Sequence, residues 1–435
     1  MSVGADLALV FGAFAVLMLG GLWVPFAIGV TGLAYLYLVA GWGGLRGLGL
    51  AAWGSTNSFT LTAIPLFILM AEILQQSGLS ARVYRGLSVL VRRLPGGLLQ
   101  TNIAGCAVFA AISGSSVATA ASIGTAALPQ LAQRGYDYRL SAGSLAAGGT
   151  LGILIPPSIA MIIYGSFTES SVAKLFMAGV VPGLLLTLLF MLYVGIHALL
   201  RPEHAPRDTT PLTPAILFGA LVDLVPFAVL IGLVLGSLYF GIATPTEVAA
   251  VGCVVAAAIS WIWGRLPVAA LRRALRNTVR ITGALMCIVL AAYIFSYAIG
   301  FGGLANAFAD WLVGLGLSKG AFLVAVFVLY TILGCLMDSI GMMVVTIPLL
   351  YPVLLQYGID PIWFGVVLVV LIELGQITPP LGINLFVIQG ISAKGRIEDV
   401  ILGTIPFYFV MFLLIALLVA WPGLALWLPG QIAVL

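Results

Sequence analysis

Charge is what this sequence has least of. Asp, Glu, Lys and Arg make up 7% of its residues, against about 25% in an ordinary soluble domain, so the chain cannot clothe its apolar surface for life in water. A freely soluble globular protein is excluded on that ground. Histidine is scarcer still: His197 and His204 are the two present, both beside the polar loop that follows Leu200, and no metal-ligand cluster can be assembled from them. The four cysteines, Cys106, Cys253, Cys287 and Cys335, are scattered singly through apolar segments and read as small hydrophobic side chains in helices. No Walker A pattern occurs, so the chain has no phosphate-binding loop of its own. The N-terminus lacks the basic region of a secretory signal, and its first apolar run reads as a retained span. A net charge of +4 says little about partners, since the basic residues serve topology, and nothing in their arrangement points to nucleic acid.

What is abundant is long apolar sequence. Hydrophobic residues reach 62% of the 435 and the mean hydropathy is +1.20, with runs long enough to cross a hydrocarbon core of ~30 Å. The chain is therefore expected to be an all-α polytopic membrane protein. Its longest polar segment is a loop, Arg201 to Pro214. Two basic amphipathic stretches, 81–93 and 265–280, are expected as short connecting helices on the membrane surface. Most of the nine tryptophans sit at segment edges, as an interfacial belt would require.

Segments 98–131 and 319–356 are too long for one straight span, and each is interrupted near its middle, by "SGSS" (Ser113 to Ser116) and by "MDSIG" (Met337 to Gly341). Halves of about 15 residues fall short of the ~20 needed to cross, which favours two re-entrant helical hairpins. The two segments also belong to a repeat. "PQLAQRGYD" (Pro129 to Asp137) reappears as "PVLLQYGID" (Pro352 to Asp360), a shift of 223. The same shift carries Pro156–Pro157 onto Pro379–Pro380, Gly152 onto Gly375, and Ser115–Ser116 onto Asp338–Ser339. A duplicated unit of hairpin, proline-broken helix and further helix follows. It divides the chain into N-terminal spans with a connecting arm (1–97), the first repeat (98–200), linking spans with a second arm (201–318) and the second repeat (319–435). With the N-terminus outside, 15 of the 18 basic residues fall in inside loops, Arg207 and Lys394 among them, and Arg46, Lys174 and Lys319 fall outside. That bias satisfies the positive-inside rule and makes the two repeats inverted.

Inverted repeats with discontinuous helices mark many secondary transporters, whose sites lie where helices break. The paired prolines within "GGTLGILIPPS" and "LGQITPPLGIN" interrupt two helices and free carbonyls, and such carbonyls together with hydroxyls suit a hard monovalent cation such as Na⁺. The competing reading is that each pair only kinks a packed helix. "SGSS" permits close helix packing, but ligand binding through Ser115 and Ser116 accounts better for a serine cluster at a hairpin tip. A serine nucleophile would need a base, and none sits at helical spacing. Of the acids inside apolar segments, Asp338 is the strongest functional candidate because it matches Ser115 in the repeat. Glu373 flanks the second break, while Glu72, Asp223 and Glu247 lie nearer segment ends, where bonding to neighbouring helices or a partner subunit explains them.

"AVFAAISGSSVATAASIG", with the two proline motifs, resembles the large membrane subunit of tripartite ATP-independent periplasmic (TRAP) transporters, over essentially the whole chain. The resemblance implies a bacterial inner-membrane protein with an elevator-type ion-transporter fold, its N-terminus periplasmic. It implies two partners, a small four-helix membrane subunit and a periplasmic solute-binding protein, and sodium-driven import of carboxylate solutes such as C4-dicarboxylates, sialic acids or keto acids. It further implies one sodium site at Ser113, Ser115 or Ser116 with the Gly152, Ile155 and Pro157 carbonyls, and a second at Gly334, Gly375, Thr378 and Leu381. Ser115, Asp338 and Asn384 are expected at the solute or in its coupling. The alternative is a standalone sodium- or proton-coupled carrier without a binding protein.

Overall fold

Residues 3–206, 212–334, 337–392 and 395–432 are described by the structure, a computed structural model. Among them every regular element is a helix, in keeping with long apolar runs, because a helix satisfies its own backbone hydrogen bonds in lipid. Among the described residues eight helical segments are long and apolar enough to cross a membrane, one of them, Tyr138–Thr168, interrupted at its Pro156–Pro157 pair. Cys335, Arg207 and Lys394 lie outside the described residues.

The duplication is visible in the elements themselves. Helix Ser116–Gln133 has its counterpart in Ser339–Gln356, and Tyr138–Leu154 in Pro361–Ile377, each pair displaced by the same 223 residues at both ends. The caps repeat too. Asp137 accepts from Leu140 N at 2.8 Å, and Asp360 from Ile362 N and Trp363 N at 2.8 and 3.0 Å. Ser115 caps Ala118 N, and Asp338 caps Ile340 N and Gly341 N. Both Pro–Pro bonds are cis. The first hairpin pairs Leu98–Ser113 with Ser116–Gln133, and the second pairs Lys319–Gly334 with Ser339–Gln356. Arms of 16 and 18 residues are about 24 and 27 Å long at 1.5 Å per residue, a little under the hydrocarbon thickness.

Around these elements Val24–Leu45 packs on Val268–Phe301, and Ala63–Gln76 packs on both Pro245–Ile262 and Val268–Phe301. The arm helix Leu79–Val91 lies on Pro214–Tyr239, where Arg82 and Arg85 clamp Asp223 at 3.2 and 2.8 Å. Asp223 thus serves packing, and so does Glu247, which closes a capping box with Thr244.

One expectation is corrected here. The second basic stretch is not a separate connecting helix but the opening turns of a single 34-residue helix, Val268–Phe301. Gly283, just past the basic stretch, keeps its place in the helix, and the backbone ladder runs on unbroken from Val268 to Phe301. The first arm is separate because Gly78 takes φ +76°, a conformation glycine reaches without penalty, and the chain turns by 72° between Ala63–Gln76 and Leu79–Val91.

Candidate functional site

The first hairpin turns at Gly114, in the left-handed region with φ +59°, and its tip is pressed into the first helix break. A Cβ on Gly114 would lie 2.7 Å from Pro157 O, and one on Gly152 would lie 2.4 Å from Ser115 O and 2.6 Å from Thr119 Oγ1. Ser113 Oγ is 2.6 Å from Thr119 Oγ1 and 3.3 Å from Ser115 O. Opposite them the helix Tyr138–Leu154 ends and Ile155 takes up an extended conformation. Pro156 and Pro157 have no N–H to give to the Gly152 and Ile153 carbonyls; the Ser158 hydroxyl bonds the latter. The result is a cluster of uncharged hydroxyl and carbonyl oxygens, with Ser113, Ser115, Gly152 and Pro157 brought together as the sequence suggested. Thr119 was missed. The available signal was its helical spacing, three residues after Ser116 and on the same face.

At the second break Gly334 and Gly375 meet backbone to backbone, each leaving the other no room for a Cβ: the nearest atoms would be 2.5 and 2.6 Å away. Thr378 ends its helix in an extended conformation, and its hydroxyl donates to Leu374 O at 2.6 Å, leaving the oxygen lone pairs open. Leu381 is 48% exposed. Residues 335–336 of the second hairpin lie outside the described residues. Both oxygen sets fit a monovalent cation in their chemistry: hard, neutral oxygens, with no thiolate or imidazole among them. Among the described residues no cluster of three His, Cys, Asp or Glu exists to hold another kind of metal.

Residues 11–424 match the family described as "Tripartite ATP-independent periplasmic transporter, DctM component". This chain belongs to that family. Two relatives agree. The DctM family's C4-dicarboxylate TRAP transporter large permease protein of Rhodobacter capsulatus is 33% identical over 97% of this chain and 98% of its own length. The isethionate TRAP transporter permease protein DctMQ of Oleidesulfovibrio alaskensis is 33% identical over 98% of this chain, which spans 66% of that protein. In fold, the DctM chain is similar to the crystal structure of the Alcanivorax borkumensis YdaH transporter, with a TM-score of 0.66, 18% identity, and coverage of 92% of this chain and 97% of the other. A DctM permease is a multi-pass transport subunit of the bacterial inner membrane, not an enzyme.

In this DctM permease a cavity of about 160 Å³ opens beside the hairpin tips. Ser113, Ser115, Ser116 and Ser339 line it together with Glu72, Gln75, Ile281 and Leu285 from the surrounding helices. No Lys or Arg is among the lining residues. Glu72, which the sequence suggested for packing or docking, sits in this wall, and Asn277 Nδ2 donates to its Oε2 at 2.9 Å. Asp338 stands at the second tip as the cap of Ser339–Gln356. Glu373 is fully buried in the helix leading to the second break, and neither of its oxygens makes a good hydrogen bond. Asn384 lies apart from the cavity wall. It is fully buried, and its Nδ2 donates to Ser116 Oγ at 2.6 Å and to Ala146 O at 3.2 Å.

Proposed function

We propose that this chain is the permease subunit of a sodium-coupled, binding-protein-dependent importer of small carboxylate-bearing solutes. In this reading its repeats (98–200 and 319–435) slide as an elevator against a scaffold (1–97 and 201–318). The observation that carries the reading is the oxygen cluster where Ser113, Ser115 and Thr119 meet the Pro156–Pro157 break, next to the cavity.

Ser113, Ser115, Ser116 and Thr119 with the Gly152, Ile155 and Pro157 carbonyls would hold one sodium ion, and Gly334, Gly375, Thr378 and Leu381 a second. A cation there supplies the positive charge that the cavity's side chains lack. The solute carboxylate is oriented by the Ser115, Ser116 and Ser339 hydroxyls and by the N-terminal end of Ser116–Gln133, whose dipole favours an anion. With no Lys or Arg in the cavity, carboxylate binding leans on the cation sites, which is what couples the two. Asp338, at the second tip, keeps the solute away from that corner unless the cation sites are filled. The relatives named for C4-dicarboxylate and isethionate support a small organic anion as the solute. The partners are a small four-helix membrane subunit and a periplasmic solute-binding protein; the remaining exposed apolar helix faces meet membrane lipid, and the N-terminus is periplasmic.

The test is uptake into proteoliposomes holding both membrane subunits, with liganded binding protein outside and an imposed sodium gradient. Uptake should require sodium with a Hill coefficient above one. Thr378→Val and Ser116→Ala each remove one oxygen and should weaken sodium dependence by ~1–3 kcal/mol, or roughly 5–150-fold in affinity. Equal uptake in choline or potassium would overturn the sodium assignment. Transport by the chain alone, without a binding protein, would favour the standalone carrier.

A further inference from the structure

Asn384 follows directly on the second helix break, yet both of its hydrogen bonds reach into the first repeat. It lies two residues after Gly382, whose N–H bonds Thr378 O at 3.0 Å and whose carbonyl accepts from Leu385 N at 2.8 Å. The conformation of the break from Thr378 to Gly382 thus fixes where the helix Ile383–Ile391 begins, and with it Asn384. The amide orientation is not free. Nδ2 faces the Ala146 carbonyl, which can only accept, so the nitrogen must be on that side, and the same nitrogen donates to Ser116 Oγ. This leaves Oδ1 buried without a hydrogen-bond partner, an arrangement that costs stability and that a residue kept only for packing would avoid.

We infer that Asn384 is a positioning residue that makes cation occupancy of the two breaks cooperative: it transmits the state of the Thr378–Gly382 break to the Ser116 hydroxyl at the first hairpin tip. The inference rests on the sodium reading above. It assigns Asn384 to communication between the repeats rather than to contact with the solute. The donated hydrogen occupies one acceptor direction of Ser116 Oγ, so the remaining lone pair is held in one direction. Ordering the second break then orders a ligand of the first site, and by linkage the reverse holds to the same extent. The repeat supplies the contrast. The position matching Asn384 is Met161, which has no N–H or O–H to donate such a bond, so the Asn384 link has no counterpart at the equivalent position of the first repeat.

The experiment uses the purified complex of this chain with its small subunit, and follows thermal unfolding against NaCl, with choline chloride holding ionic strength constant. The wild type should be stabilised by sodium with a sigmoidal dependence. Asn384→Leu keeps the branched skeleton and removes both donors; it should raise the half-saturating sodium about tenfold and bring the Hill coefficient to about one. Ser116→Ala should do the same, and the double variant should be no worse than either single one, since the two act as a unit. If Asn384→Leu does not assemble, Asn384→Ala removes the donors without adding bulk or charge and should shift sodium dependence in the same direction. A uniform drop in unfolding temperature, with midpoint and Hill coefficient unchanged, would make Asn384 merely structural and overturn the inference while the sodium reading stands. A wild type indifferent to sodium would overturn the sodium reading, and this inference with it.

Discussion

At Gly152 a single methyl group decides whether the first hairpin tip can seat. The atoms it would strike are a backbone carbonyl, Ser115 O, at 2.4 Å and the Thr119 hydroxyl at 2.6 Å, and the carbonyl belongs to a tip already folded into the break. Gly152→Ala should therefore displace the tip, cost ~1–3 kcal/mol as an overpacked contact, and abolish uptake in the reconstituted complex. Gly219→Ala is the control: nothing lies within 4 Å of the added carbon, so in that helix the change should be neutral or stabilising by up to ~1 kcal/mol. Thermal unfolding of both variants side by side checks the pair, and equal behaviour would mean that the tip does not rest on Gly152. The sequence marked Gly152 as the glycine before a break. It gave no sign that the partner was Ser115 O, because that depends on how deeply the hairpin inserts.

The helices Tyr138–Leu154 and Ile397–Ala420 cross at close range. Glycines let their backbones touch: a Cβ on Gly403 would fall 2.0 Å from Arg139 O, and one on Gly143 would fall 2.1 Å from Gly403 O. Small residues serve helix association in membranes in this way, by allowing close approach. Gly403→Ala should push the pair apart and lower thermal stability by ~1–3 kcal/mol. Arg139→Gln, a few atoms away, should change it little, because the Arg139–Asp399 pair at 2.8 Å is open to solvent. A differential scan of the two variants checks this, and a harmless Gly403→Ala would show that the helices can separate freely. Element boundaries were legible where a local breaker exists, at Gly78 and at the two proline pairs. The basic stretch at 265–280 misled because its charge pattern resembles that of a surface helix, whereas the backbone continues through Gly283 into the rest of Val268–Phe301.

Over the whole molecule, two loops of similar sequence make the test of orientation. Gln133 and Gln356 end equivalent helices and are exposed, yet the inverted arrangement places them on opposite sides of the membrane. In a background with Cys106, Cys253, Cys287 and Cys335 replaced, an impermeant thiol reagent applied to intact spheroplasts should label a cysteine at 356 and spare one at 133. Equal labelling of the two would sink the inversion and with it the elevator reading.

The sequence by itself determined the solvent, the helical class, the duplicated unit with its caps and breaks, and the family. Each of these is a local property: apolar density, a missing N–H, an Asp or Ser at a helix start, a motif of a dozen residues. Only the tertiary structure decided that Asn384 meets Ser116 across 268 residues, that Gly334 lies on Gly375, and that Glu72 faces the hairpin tips. Those contacts follow from helix crossing and insertion depth. Packing among many helices sets both, and no single segment encodes either.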